Sequence, residues 1–216
     1  MKNATKIFTS TFGVIMALAG LEHGIGEVLQ GNVAPKGVMI LSWPDSAFFR
    51  NLGGEPAMTI IPTLLVTGIL AILFSLLLLV WATFFVHRKN GGLIMILLSI
   101  AMLLVGGGIF PPVFGIITGA VGTKMNAPLI WWRTHLPISF RRFLSKLWAW
   151  SYAACILAWV SVFPIAYFFG VNDPTPILVI LFFALGTFIL TIFSGFACDI
   201  ERQTESSIVR LASVTA

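Results

Sequence analysis

The chain has 216 residues, 58% of them hydrophobic and 10% charged, with a formal net charge of +5. Soluble domains carry about 25% charged residues, and a soluble fold of this length has no interior large enough to hide so much apolar surface. The composition therefore excludes an ordinary soluble enzyme or binding domain. The basic residues flank apolar runs, a pattern of membrane topology and contact with anionic lipid that excludes nucleic acid as a partner.

The expected fold is all-α, a polytopic transmembrane helix bundle. Residues 1–216 form a single integral membrane domain with about six membrane segments, at about 7–29, 58–86, 92–110, 112–130, 147–170 and 177–197. The start imitates a signal peptide, with Lys2, Lys6, a short apolar run and Ala17-Leu18-Ala19. That run is diluted by Thr9, Ser10 and Thr11 and continues past Ala19, so an uncleaved first segment is expected. A loop over residues 32–55 follows, with Trp43, Phe48 and Phe49 placed to dip back into the interface or to cover the bundle end. In the second segment Thr59, Thr63, Thr67, Ala71 and Ser75 recur every fourth residue and predict one small, partly polar helix ridge.

The third region carries Gly106-Gly107-Gly108-Ile109-Phe110-Pro111-Pro112, which breaks or sharply kinks a helix. A kink leaves five spans; a chain that turns back at Pro111-Pro112 gives six segments. Six segments put Lys2, Lys6, Arg88, Lys89, Lys124, Arg133, Arg141, Arg142, Lys146, Arg202 and Arg210 on one side and only Lys36 and Arg50 on the other. Positive charge gathers on the cytoplasmic side, so six segments are favoured, with both termini cytoplasmic in the cell (plasma or inner) membrane. The short fourth segment either spans or re-enters. Trp131, Trp132, Arg133, Arg141, Arg142, Lys146 and Trp148 read as an anchor at the lipid interface. A kink is expected at Pro164, and a tight outside turn at Asn172-Asp173-Pro174-Thr175-Pro176.

The first segment holds Gly20-Leu21-Glu22-His23-Gly24-Ile25-Gly26-Glu27, where ionisable side chains interrupt an apolar span. Such groups are costly in a bilayer and mark functional sites. His23 and Glu27 share a helix face four residues apart, whereas Glu22 points nearly the opposite way. The first segment is thus expected to touch helices on both sides and to organise the bundle. At 1.5 Å per residue Glu22 and Glu27 lie roughly 22 and 30 Å beyond Ile7, which places the cluster in the outer part of the membrane. Glu22 and His23 are expected to be buried and Glu27 to lie at the outer rim. Thr59 and Thr63 enter at the same depth, giving a candidate intramembrane polar site of Glu22, His23, Glu27, Thr59 and Thr63. One His and two carboxylates suit zinc or manganese, but H-x-x-x-E alone is a weak signal, and no metal or cofactor is assigned. Cys155 and Cys198 form no disulfide framework and no C-x-x-C motif. No nucleophile elbow or phosphate loop is present, and no catalytic residue is named.

Three runs carry a resemblance: Leu21-Glu22-His23-Gly24-Ile25-Gly26-Glu27, Val105-Gly106-Gly107-Gly108-Ile109-Phe110-Pro111-Pro112 and Arg141-Arg142-Phe143-Leu144-Ser145-Lys146-Leu147-Trp148. They resemble segments of a family of prokaryotic multi-pass membrane proteins with no assigned activity. The resemblance covers most of the chain and implies no catalytic or binding residue. The functional expectation is a small transporter or channel-like protein using the first-segment cluster. The alternatives are a non-catalytic accessory or scaffold protein, forming homo- or hetero-oligomers through its small-residue ridges, and a membrane-embedded enzyme or metal site.

Overall fold

The structure, a computed structural model, describes residues 3–125, 127–169 and 175–214. It is all-α apart from one two-stranded ribbon. Among the described residues, four helical stretches are long and apolar enough to cross a membrane: Ala4–Gln30, Leu64–Phe85, Ile138–Phe169 and Thr175–Ser207.

Helix α1 (Ala4–Leu29) begins where the Asn3 side chain accepts the Lys6 N–H at 3.0 Å, an N-cap bond. Its first turn is also gripped from across the molecule. Asp199 accepts the Ala4 and Thr5 N–H groups at 2.7 and 2.9 Å and the Thr5 hydroxyl at 2.6 Å. Ala4, Phe8, Phe12 and Met16 repeat every fourth residue and are all buried. Residues 4–19, which imitate a signal peptide, are therefore part of the core. Rings from four helices meet there: Phe12 on Phe188 at 4.9 Å between centroids, Phe114 on Phe188 at 5.1 Å and Phe114 on Trp159 at 4.7 Å. As expected, α1 is the central element; it touches the helices Leu64–Val80, Phe110–Gly122 and Thr175–Val214.

After α1 the chain forms a flap over residues 31–63. Strands β1 (Met39–Leu41) and β2 (Pro56–Met58) pair antiparallel, with Ile40 opposite Ala57. The flap covers one end of the bundle: Trp43 stacks on Phe49, Phe48 meets Tyr167, and Asn51 donates to the Ala166 carbonyl at 2.8 Å. Helix α2 (Leu64–Val80) continues through a π-helical turn, Trp81–Phe85. The expected second segment therefore starts late, and Thr59 lies in the flap rather than on the helix ridge. Thr67, Ala71 and Ser75 do form that ridge and are fully buried.

The region expected as segments 92–110 and 112–130 is a hairpin of two shorter helices, α3 (Gly91–Leu104) and α4 (Phe110–Gly122). Gly92 faces Gly119 and Gly122, and Ser99 faces Gly115, so the two helices run antiparallel. The chain turns back rather than kinking. The turn is made by Gly106 and Gly108 at φ +91° and +83°, a region that favours glycine. Pro111 and Pro112 occupy the first turn of α4, where a missing N–H costs nothing; they start a helix instead of breaking one. At 1.5 Å per residue the two helices are about 21 and 20 Å long, short of the roughly 30 Å hydrocarbon layer. The flap completes them: Gly106 donates to the Met58 carbonyl at 2.8 Å, Ile60 donates to the Leu104 carbonyl at 3.1 Å, and Thr59 forms a bridge with Val105.

A short helix α5 (Ile130–His135) leads to α6 (Ile138–Phe169) and α7 (Thr175–Val214), which pack on one another. Helix α6 starts nine residues before the expected 147 and runs through Pro164. Helix α7 extends well beyond the expected end at 197. Of the expected outside turn, residues 172–174 lie outside the described residues. One end of the bundle gathers Asn3, Met125, Asp199 and the 86–92 turn, together with Lys6, Arg88, Lys89, Lys124 and Arg141. The opposite, far end carries the flap with Lys36 and Arg50, and the hairpin tip.

Candidate functional site

At the far end, α1, the flap and the hairpin tip converge on His23, whose side chain is 3% exposed. Nδ1 lies 3.0 Å from the Ala19 carbonyl and 3.0 Å from Glu22 Oε2, both acceptors. Nδ1 therefore carries a proton, and the lone pair of a neutral ring sits on Nε2. Nε2 in turn lies 3.4 Å from Oε2 of Glu55, a third acceptor. An acceptor facing an acceptor needs a proton or another cation between them. Glu55 reaches this point because the flap turns through Gly53-Gly54 just before it, and it holds a left-handed φ of 55° itself. Non-glycine residues persist there only where their surroundings enforce it.

One helical turn further along α1, Glu27 is 0% exposed. Ser42 of the flap donates to its Oε1 at 3.2 Å, while Oε2 has no partner among the described residues. Gln30 ties the flap to the end of α1, donating to Leu41 and Ser42 carbonyls at 3.0 Å each. The hairpin tip closes the cluster. A Cβ on Gly108 would sit 2.6 Å from His23 Nε2, and one on Gly106 would sit 2.6 Å from Glu27 Oε1. The tip glycines are thus needed twice, for the turn and for direct approach of backbone to ring and carboxylate.

The expected burial order is reversed. Glu27, placed at the outer rim by counting along the helix, is the enclosed carboxylate because the flap lies over it. Glu22, expected to be buried, has a side chain 26% exposed. Although adjacent helix positions do not face each other, the Glu22 carboxylate reaches His23 Nδ1. Thr59 joins the site from the flap and shares a proton with Thr67 at 2.9 Å. Thr63, just before α2, has a buried hydroxyl with no partner among the described residues. Sequence reasoning missed Glu55, Ser42, Gly106 and Gly108 as site residues. The one signal for Glu55 was a carboxylate placed directly after the Gly53-Gly54 turn.

The expected lipid anchor divides. Trp131 and Lys146 are exposed and Arg142 is largely so. Trp132 packs on Phe193 and Phe196. Arg133 donates to Gln203 at 2.6 Å, and Arg141 pairs with Glu201 at 2.6 Å, so both are held by α7. Arg202 lies over the Trp148 ring. Cys155 and Cys198 are free and buried.

Compared with protein-family models, curated proteins and solved structures, the chain matches none of them.

Proposed function

We propose that the chain is a multi-pass integral membrane protein that passes protons or small cations through a site at the far end of its bundle. The observation that carries this reading is the convergence of an imidazole and three carboxylates, His23, Glu22, Glu27 and Glu55, on the tip of an interrupted helix pair. Irregular backbone at membrane depth is tolerated where protein covers it, and buried ionisable groups there mark ion pathways. In this reading α1, α2, α6 and α7 span the bilayer, and α3 and α4 form a re-entrant hairpin. Together they make about six segments, with both termini cytoplasmic. The gathering of basic side chains at one end supports that orientation and a contact with anionic lipid.

The test is flux. Purified protein in liposomes carries protons or monovalent cations down a gradient, and Glu27→Gln folds normally yet loses the flux. Wild-type flux no greater than that of empty liposomes overturns the reading. A second reading, a non-catalytic accessory protein, is favoured by the tight closure around His23. A cavity of about 510 Å3 lies at the opposite end, between Val86, Lys89, Gly92 and Met125. It predicts a partner that co-purifies stoichiometrically and liposomes that stay tight.

A further inference from the structure

We propose that the gap between His23 and Glu55 is a binding site for a divalent transition metal ion of the zinc class, with His23 Nε2, Glu55 and Glu22 as its protein ligands. The inference rests on the membrane-site reading above and deepens it by naming the ion.

The donor set comes first. His23, Glu22 and Glu55 each offer a ligand atom, and these atoms lie within 4.8 Å of one another. One imidazole with two carboxylates suits zinc, manganese or cobalt rather than the all-oxygen shells of calcium and magnesium. Three protein ligands leave a fourth position for water or a transported group.

The geometry of the ring is next. The Nε2–Oε2 separation of 3.4 Å is long for a hydrogen bond, whose usual range is about 2.7–3.2 Å. Two ligand atoms about 2.0–2.1 Å from a tetrahedral zinc ion stand roughly 3.3–3.4 Å apart. The other nitrogen is arranged as metal-ligating histidines have it. Its N–H is directed at a backbone carbonyl, Ala19, at 3.0 Å, which fixes the tautomer with Nε2 free.

Two carboxylate oxygens beside the gap also have no partner among the described residues. Glu27 is fully buried one turn away, its Oε2 without a donor among the described residues, against the same glycine tip that closes over His23. Glu22 Oε1 is buried and also has no donor among the described residues. A dication in the gap gives Glu22 Oε1 a partner and places a positive charge beside the enclosed Glu27. Because Glu55 belongs to the flap and His23 to α1, the ion also joins the two.

The test titrates the purified full chain in nanodiscs with Zn2+ by calorimetry and with Co2+ by visible absorption. The expected result is one site per chain, a four-coordinate Co2+ spectrum, and at least tenfold weaker binding in Glu55→Gln and in His23→Gln. Glu201→Gln, at the opposite end, binds as the parent does. Glu55→Gln keeps the flap's shape, so the test stands even if the His23 variant misfolds. Absence of saturable Zn2+ binding, or binding that Glu55→Gln leaves unchanged, overturns the inference. The two proposals separate: ion flux that depends on Glu27, without metal binding, removes only the metal. Stoichiometric metal binding without flux of protons, monovalent cations or Zn2+ removes only the transport reading.

Discussion

Gly106→Ala tests the hairpin tip most directly. Gly106 sits at φ +91°, and an added Cβ there would press on both oxygens of Glu27 and on Thr67. Holding an L-residue at positive φ costs about 1–2 kcal/mol. Overpacking a filled interior costs about 1–3 kcal/mol more. Neither neighbour yields easily, since Thr67 is fully buried on α2 and Glu27 is enclosed by the flap. The sum is roughly 2–5 kcal/mol, and at about 2–4 °C per kcal/mol for a chain of this length it lowers Tm by about 4–20 °C. Gly107→Ala is the internal comparison. It lacks the positive φ, and its Cβ would meet only Met102 of the preceding turn, at 3.0 Å, so it should cost about 1 kcal/mol or less. The assay is thermal unfolding in one detergent, followed by intrinsic tryptophan fluorescence. Equal Tm values for the two variants would refute the role given to the tip.

Pro111→Ala and Pro112→Ala, singly, should each shift stability by less than about 1 kcal/mol, because both prolines sit in the first turn of α4; a large loss of Tm in either would contradict this placement. Asp199→Ala removes three bonds to the start of α1 and should cost about 1–3 kcal/mol, read by thermal unfolding, with Asp199→Asn intermediate. Arg141→Glu and Glu201→Arg should each destabilise by about 1–3 kcal/mol while the double swap recovers most of the loss; no recovery means that the pair is not coupled. Cysteines at Lys36 and Lys89 should label with an impermeant thiol reagent from opposite faces of intact vesicles, and one at Ser139 should behave as Lys89 does. Labelling of Lys36 and Ser139 from the same face would refute the six-segment orientation.

The central role of α1 was legible because three ionisable residues within one apolar run demand protein on several sides. The reversal of the chain near Gly106 was legible from glycine and proline density, supported by the sidedness of basic residues. Which residues did the turning was not: prolines read as breakers wherever they occur, and only the backbone reveals that these two begin a helix. The burial of Glu27 was misjudged because counting along one helix measures depth but cannot register a cover made by residues 31–63. Glu55 stayed hidden for the same reason, since nothing local to it announces a histidine on another element. The start of α6 was placed too late because Arg141 and Lys146 read as the water boundary. A helix that continues past the boundary can keep an arginine buried when its neighbour, α7, continues too and brings Glu201.

The grip of Asp199 on the first turn of α1 links the beginning of the chain to a residue near its end. Synthesis proceeds at about 5–20 residues per second, so roughly 10–40 s separate the appearance of Thr5 from that of Asp199. Throughout that interval the first N–H groups of α1 lack this partner and must rely on Asn3 and water. Among the described helices, α1 is made first, yet its start is completed only when α7 is made. A chain stopped before α7 would carry a recognisable flaw, an open helix terminus beside the uncovered rings of Phe8 and Phe12.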